Sequence, residues 1–144
     1  MNKLQVVESI FTNHKLVTCL DSTPRDSGVV LGGHEDGTVK LYDQRTHIGG
    51  VKQHKVFEAS TSSYTSAVKI CPKNHNLFAA TNYDGKVRLW DLRNENEPLH
   101  VLKGSAVGKK TQEFKLFALG WSAKADWIVS GGSDSNIQMH SLNL

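Results

Sequence analysis

The side chains best suited to chemistry in this sequence are histidines, serines and acids, and their spacing argues against an enzyme. The chain has 144 residues, with seven histidines at positions 14, 34, 47, 54, 75, 100 and 140. None of them has the spacing of a metal-binding pair such as His-Glu-x-x-His. Ser-His-Asp triads can be drawn in many ways, but no local motif selects one. We therefore expect no catalytic residue, no metal ligand and no cofactor.

A glycine- and lysine-rich segment, Gly104 to Thr111, is similar to a phosphate-binding loop but departs from its pattern. Such a loop cradles phosphates on backbone N–H groups ahead of a helix. Here three residues separate the two glycines instead of four, and Lys110 stands where a hydroxyl residue is needed. The residues that follow, Phe114 to Trp121, alternate as a strand does. The segment is therefore predicted to be a surface loop.

The same loop accounts for the charge excess of the chain. The sequence has 17 Lys and Arg against 14 Asp and Glu, a formal net charge of +3. Between Val101 and Lys115 a single acid, Glu113, stands against four lysines: Lys103, Lys109, Lys110 and Lys115. We expect either a solvated connection or weak contacts with RNA phosphates or an acidic partner surface. No aromatic residue lies between Lys103 and Lys110, so the local sequence does not indicate base stacking.

Three segments of the sequence repeat one another, and their spacing indicates the architecture. Asp36, Asp84 and Asp134 occupy matching positions, 48 and 50 residues apart. Aspartate accepts hydrogen bonds from the backbone of its own turn and glycine tolerates a positive φ, so the Asp-Gly pairs predict hairpins. The three acids are therefore assigned to turn structure. Replacing Asp84 by alanine is expected to cost about 1–2 kcal/mol through unsatisfied turn N–H groups.

Alternation with a period of two predicts strands along the whole chain, and no segment shows a helical period. Val39 and Leu41 alternate with Lys40 and Tyr42, which predicts a strand that is buried on one face. The other main predicted strands are 17–20, 29–33, 67–71, 78–81, 87–90, 116–121 and 128–132, with weaker outer strands at 4–7, 51–57 and 99–102. The chain is therefore predicted to be all-β. Its tryptophans, Trp90, Trp121 and Trp127, are expected to pack within it.

The end of the second repeat, from Asp84-Gly85 to Trp90-Asp91, resembles the signature of the WD-repeat family. The first repeat has Tyr42-Asp43 in the Trp-Asp position, and the third has His140-Ser141. The resemblance implies β-propeller blades of four strands each, belonging to a larger, seven-bladed ring. The predicted blades are 12–58, 59–103 and 104–144, with 1–11 as an outer strand that closes the ring. Three blades cannot close a ring, so we expect either missing blades or self-association.

The motif order of the last two repeats is similar to that of one branch of this family, the propeller subunit of PeBoW ribosome-assembly complexes. A lysine-rich insertion before the last repeat and a degenerate last Trp-Asp site are the features in common. The resemblance implies a non-enzymatic scaffold for 60S biogenesis and pre-rRNA processing. Its partners would be the propeller of the block-of-proliferation subunit and pre-60S particles, in the nucleolus and nucleoplasm.

An arginine two residues after each repeat-ending acid supports an alternative function. Arg45 follows Tyr42-Asp43, and Arg93 follows Trp90-Asp91. This pattern is similar to the box that docks WD-repeat substrate receptors onto cullin–RING ubiquitin ligases, which makes both arginines candidate partner-binding residues. The simpler interpretation is an Asp–Arg pair that closes the turn after the strand and contributes little stability when exposed. We favour the simpler one, because the box overlaps the family signature almost completely.

Composition excludes several other classes of protein. No apolar run is long enough to span a bilayer, so no membrane partner is expected. The first residues lack the apolar run of a secretory signal. The two cysteines, Cys19 and Cys71, show no Cys-x-x-Cys spacing, which is typical of a protein from a reduced, intracellular compartment.

Overall fold

The computed structural model describes residues 3–5, 9–10, 12, 15–23, 28–43, 52–60, 63–103 and 114–142. Within these ranges the chain forms eleven strands in three antiparallel sheets. The first sheet contains β1 (Val17–Ser22), β2 (Val29–His34), β3 (Thr38–Asp43) and β4 (Lys52–Glu58). The second contains β5 (Thr65–Ile70), β6 (Leu77–Asn82), β7 (Lys86–Asp91) and β8 (His100–Lys103). The third contains β9 (Leu116–Trp121), β10 (Trp127–Gly132) and β11 (Ile137–Ser141).

Each sheet is a meander, because every strand pairs with the strand that follows it in the chain. The prediction of an all-β chain with one sheet per repeat is confirmed. The third sheet differs from the predicted four strands, since the part of it that the structure describes has three. Residues 3–5 lie outside the strands and Leu4 is exposed. The assignment of 1–11 as a ring-closing strand stays a prediction.

Glycine is required at the two Asp-Gly turns because the backbone there has a positive φ. Gly37 joins β2 to β3 with φ +83°, and Gly85 joins β6 to β7 with φ +74°. A side chain at Gly37 would also come within 2.2 Å of the carbonyl oxygen of Ser60. The third turn reaches the same region of φ with Ser135, at +61°. These turns set the register of all three hairpins.

The main core lies between the first and second sheets and is centred on aromatic rings. Phe57 of β4 meets Trp90 of β7 edge to face, with ring centroids 5.4 Å apart and an interplanar angle of 71°. Phe57 also meets Phe78 of β6 at 4.9 Å and 77°. All three side chains are fully buried, which confirms the expected packing role of Trp90. Edge-to-face geometry adds about 0.5–1.5 kcal/mol per pair beyond the area that is buried.

A second core joins the second sheet to the third. Val87 and Leu89 of β7 pack against Leu116 of β9 and Ile128 of β10. Trp121 also crosses between these sheets, since its Nε1–H donates to the carbonyl oxygen of Lys69 at 3.0 Å. The second sheet is therefore covered on both of its faces.

Burial of the strands after the turns differs from the sequence-based prediction. The four central residues of both β3 and β7 are buried, including Lys40 and Arg88. The prediction that these strands are buried on one face was wrong, because each face of the strand packs against a different neighbouring sheet, as β7 shows most clearly. Its Trp90 faces the first sheet while Val87 faces the third, so alternating side chains enter two different cores. Among the residues described, no helix has the length and apolar character needed to cross a membrane.

Candidate interaction site

The three repeat acids lie at one end of the sheets, which we call the turn end because it carries the turns between β2–β3, β6–β7 and β10–β11. Asp36 Oδ1 accepts from the backbone N–H of Thr38 at 3.1 Å and from its hydroxyl at 2.7 Å. Asp84 Oδ1 accepts from the N–H of Lys86 at 3.2 Å, and Asp134 Oδ1 accepts from that of Asn136 at 3.2 Å. Each carboxylate thus contacts a donor of its own turn.

The second repeat adds a buried ion pair to this arrangement. Arg88 Nη2 lies 2.6 Å from Asp84 Oδ2, and Arg88 Nη1 donates to Asp84 Oδ1 at 3.2 Å and to Asn82 Oδ1 at 3.0 Å. The Arg88 side chain is 10% exposed and that of Asp84 is 22% exposed. Asn82 Nδ2 in turn donates to the Thr65 hydroxyl at 3.2 Å. Asp84 therefore neutralises a buried guanidinium as well as capping its turn.

Sequence reasoning missed this network, although a signal for it existed. A polar residue follows each turn acid by four positions: Lys40, Arg88 and Gln138. In the third repeat Gln138 Nε2 donates to Asp134 Oδ2 at 3.3 Å. A hairpin turn brings positions four apart together across its two strands, so this spacing indicates a contact between them.

A different buried pair occupies the first sheet. The hydroxyl of Tyr42 and Nε2 of His34 are hydrogen-bonded at 3.0 Å, and both residues are buried. Ser130 and His140 form a longer contact of 3.4 Å in the third sheet. Burial lowers the pKa of His34 below its ordinary value near 6.5, and the nearby charge of Lys40 lowers it further. Burial also lowers the pKa of His140.

These shifts predict that the chain loses stability as the pH falls below about 6.5, which is still above the pH range in which its carboxylates titrate. Folding lowers the pKa of the His34 imidazole, so the unfolded chain binds the proton more tightly than the folded chain. This contribution to stability is therefore present above about pH 6.5 and is lost as the pH falls through the lowered pKa. Urea unfolding between pH 7.5 and 5.5 measures it. His34→Gln should flatten the dependence and leave the part due to His140. An unfolding free energy that stays constant over this range in the unsubstituted chain would contradict the assignment.

Arg93 forms the turn-closing pair that the simpler interpretation describes. Its Nη2 lies 2.6 Å from Asp91 Oδ2, and its backbone N–H donates to Asp91 Oδ1 at 2.8 Å. Hydrogen bonding from Arg93 lowers the pKa of Asp91 below its ordinary value. The guanidinium is largely exposed. Arg45 lies outside the described residues, so the matching pair with Asp43 is untested and a partner-binding role for both arginines stays a prediction.

Two of the four lysines of the predicted basic loop lie in the described part of the chain. Lys103 ends β8 and Lys115 precedes β9, and both are exposed at the turn end. The ammonium group of Lys115 lies 5.1 Å from the ring centroid of Tyr83. Lys109 and Lys110 lie outside the described residues. In the ranges that are described, no three His, Cys, Asp or Glu side chains are grouped to hold a metal ion.

The outer face of the third sheet is open and apolar. Ile137 and Met139 of β11 are 81% and 65% exposed. They align with Val87 and Leu89 of β7, which are 1% and 0% exposed because the third sheet covers them. A shallow groove of about 290 Å³ runs along this face, lined by Ala118, Leu119, Gly120, Val129, Ser130, Gly131 and Ile137. A position that is core in one repeat is thus surface in the next.

Comparison with curated proteins finds relatives that are named as ribosome biogenesis proteins. The chain is 27% identical to the "Ribosome biogenesis protein WDR12 homolog" of Chlamydomonas reinhardtii over 135 residues, which cover 90% of the chain and 29% of the relative. It is 28% identical to the Trichoplax adhaerens protein of the same name, covering 88% of the chain and 27% of the relative. It is also 28% identical to "Ribosome biogenesis protein YTM1" of Scheffersomyces stipitis, over 79% of the chain and 24% of the relative. The chain spans less than a third of the length of these relatives.

The family comparison agrees with the sheets that the chain forms. The sequence model of the family described as "WD domain, G-beta repeat" matches residues 5–43 and 51–91, which is more than half of the chain. The matched segments end at Asp43 and Asp91, the last residues of β3 and β7. The sheets, the turns and this match together show that the chain belongs to the WD-repeat family.

Proposed function

We propose that this chain is a non-enzymatic scaffold for protein–protein contacts in the assembly of the large ribosomal subunit, and that it works as part of a larger propeller. The observation that supports this most directly is the open face of β11. Ile137 and Met139 occupy positions that the following sheet buries in the earlier repeats. Exposed apolar patches of this kind mark interaction sites. A further blade is the partner that fits them.

The extents of the three sheets support the proposed blade boundaries. The sheets span 17–58, 65–103 and 116–141, within the proposed blades 12–58, 59–103 and 104–144. A rigid stack of sheets presents loops and turns at its rims, which suits a surface for binding rather than catalysis. A closed ring needs about four to eight blades, so the remaining blades come from other residues or from a second copy.

The names of the relatives support the assignment to ribosome assembly. We propose in particular that the chain acts in a PeBoW-type complex during pre-rRNA processing, in the nucleolus and nucleoplasm. Its proposed partners are the propeller of the block-of-proliferation subunit and pre-60S particles. Docking onto a cullin–RING ligase is the alternative. The pairing of Arg93 with Asp91 favours the scaffold, since that arginine already has a partner within the chain.

Affinity purification of the tagged chain from cells, followed by mass spectrometry, tests the proposal. We expect pre-60S proteins to dominate the recovered set. The double variant Ile137→Asp, Met139→Asp should lose them, because two charges on the open face prevent another blade from stacking there. Leu99→Asp, Val101→Asp is the matched control, since these residues of the second sheet's outer edge are about half exposed and should tolerate charge.

Two results would contradict the proposal. Recovery of a ligase adaptor that Arg93→Ala abolishes would favour the alternative function. Recovery of neither set, with the chain folded by circular dichroism, would remove the assignment to ribosome assembly.

A further inference from the structure

Three aromatic rings meet at the turn end of the second and third sheets, although they come from separate parts of the chain. Tyr64 precedes β5, Tyr83 lies in the turn between β6 and β7, and Phe117 belongs to β9. Tyr64 stacks on Tyr83 with centroids 5.5 Å apart and an interplanar angle of 25°. Phe117 meets Tyr83 edge to face at 5.6 Å and 86°. Tyr64 is 45% and Phe117 50% exposed, so the outer rings of this cluster face solvent.

Three lysines lie at the same end of these sheets as the rings. The ammonium group of Lys115 lies 5.1 Å from the Tyr83 centroid. Lys86 and Lys103 are directly opposite each other where β7 pairs with β8, at the same end of the second sheet. Like charges in that position repel each other. An anion bound near them would relieve the repulsion.

The nearby acids do not neutralise these lysines. Asp84 is bound by Arg88, and Asp134 accepts from Asn136 and Gln138. Among the residues that the structure describes, none of Lys86, Lys103 and Lys115 has an acidic oxygen within 4.0 Å. The remaining described acids of the turn end, Glu35, Asp36 and Glu58, belong to the first sheet. Within the described part of the chain, the turn-end lysines of the second and third sheets are therefore not paired with acids.

We propose that the aromatic–lysine cluster, formed by Tyr64, Tyr83, Lys115 and Phe117, binds single-stranded nucleic acid. Bases stack on the exposed rings of Tyr64 and Phe117, while Lys115 and the opposed lysines Lys86 and Lys103 contact phosphates. Stacking platforms beside cations are how single strands are bound without base-specific hydrogen bonds. A duplex fits less well, because its base faces are already stacked on one another. A cationic peptide also uses aromatic faces, but the lysines around this cluster repel it.

Fluorescence anisotropy of the purified 144-residue chain with labelled U12 RNA tests this inference, which does not depend on a role in ribosome assembly. Tyr64→Leu and Phe117→Leu should each weaken binding about tenfold, because each removes the stacking of about one base. The salt dependence of RNA binding should be the same for these two variants as for the unsubstituted chain. Lys115→Gln should weaken binding and reduce the slope of log K against log salt by about 0.7, the value for one phosphate contact on a single strand.

Matched controls lie away from the cluster. Lys124→Gln removes an exposed lysine from the turn between β9 and β10, at the opposite end of the third sheet, and should change neither affinity nor slope. Leu99→Ala should also have no effect. Circular dichroism of each variant establishes that it is folded. A parallel titration with dT12 DNA shows whether the cluster prefers RNA or DNA. Binding of either strand supports the site.

Three outcomes would overturn the inference. The first is an affinity for U12 that the cluster variants do not change. The second is tighter binding of a blunt RNA duplex than of the single strand. The third is binding of an arginine-rich peptide at the cluster with no binding of U12, which would assign the rings to a cationic protein segment instead.

Discussion

Replacing Asp84 by alanine is expected to lower the free energy of unfolding by about 3 kcal/mol, more than its turn alone explains. Loss of the turn acceptor costs about 1–2 kcal/mol. The structure adds a second loss, because Asp84 is also the partner of Arg88, whose side chain is only 10% exposed. Breaking a buried pair leaves an uncompensated charge and costs about 3–5 kcal/mol. Partial exposure of Asp84 places our value at the lower end of that range.

Urea denaturation of matched variants measures the effect and separates its two causes. Asp134→Ala is the natural control, because that acid holds an equivalent turn but contacts the neutral side chains of Asn136 and Gln138. We expect it to cost about 1 kcal/mol. Combining Asp84→Ala with Arg88→Met should cost less than Asp84→Ala alone, since it removes the stranded cation. Equal losses for Asp84→Ala and Asp134→Ala would show that the ion pair contributes nothing.

Replacing Trp90 by alanine is expected to cost about 3–5 kcal/mol, as for a large aromatic side chain in a core. Trp90 is buried between the first and second sheets and contacts Phe57 and Phe78. Its removal would leave a cavity where the two sheets meet, so the loss should appear as a lower urea midpoint for the whole chain. Because a loss this large can prevent the variant from folding, a milder substitution at the same position is measured as well.

Trp90→Phe provides that milder variant. The indole N–H of Trp90 is buried without a hydrogen-bond partner among the described residues, so phenylalanine removes volume but breaks no hydrogen bond. We expect a loss of about 1 kcal/mol, and an alanine at the partly exposed Trp127 should also cost less than one at Trp90. A loss for Trp90→Phe as large as for Trp90→Ala would mean that the N–H, rather than the ring, stabilises the core.

Much of the fold was predictable because its signals are local. Period-two alternation and the Asp-Gly turns placed the strands to within a few residues, since both depend on backbone geometry and on neighbours within one hairpin. The position of each repeat acid also follows from the hydrogen bonds of its own turn. The same reasoning missed the pairing of Asp84 with Arg88, although the spacing of four residues was present in all three repeats.

The tertiary structure decided what lies between the repeats. Whether an alternating strand is buried on one face or both depends on what stacks against it, and the sequence of a strand does not record this: Val87 is core and Ile137 is surface at the same position of the repeat. The aromatic cluster shows the same limit. The lysine-rich loop contains no aromatic residue between Lys103 and Lys110, yet packing of the second sheet against the third brings Tyr83 to Lys115 and to Phe117.

The sequence alone therefore determined the strands, the turns and the repeat, because steric preferences and hydrogen bonds act over a few residues. Only the tertiary structure decided which of the repeated positions are core and which rings meet a lysine. Those outcomes depend on the packing of one sheet on the next, which joins residues about 20 to 50 positions apart. No local pattern in the chain specifies such contacts.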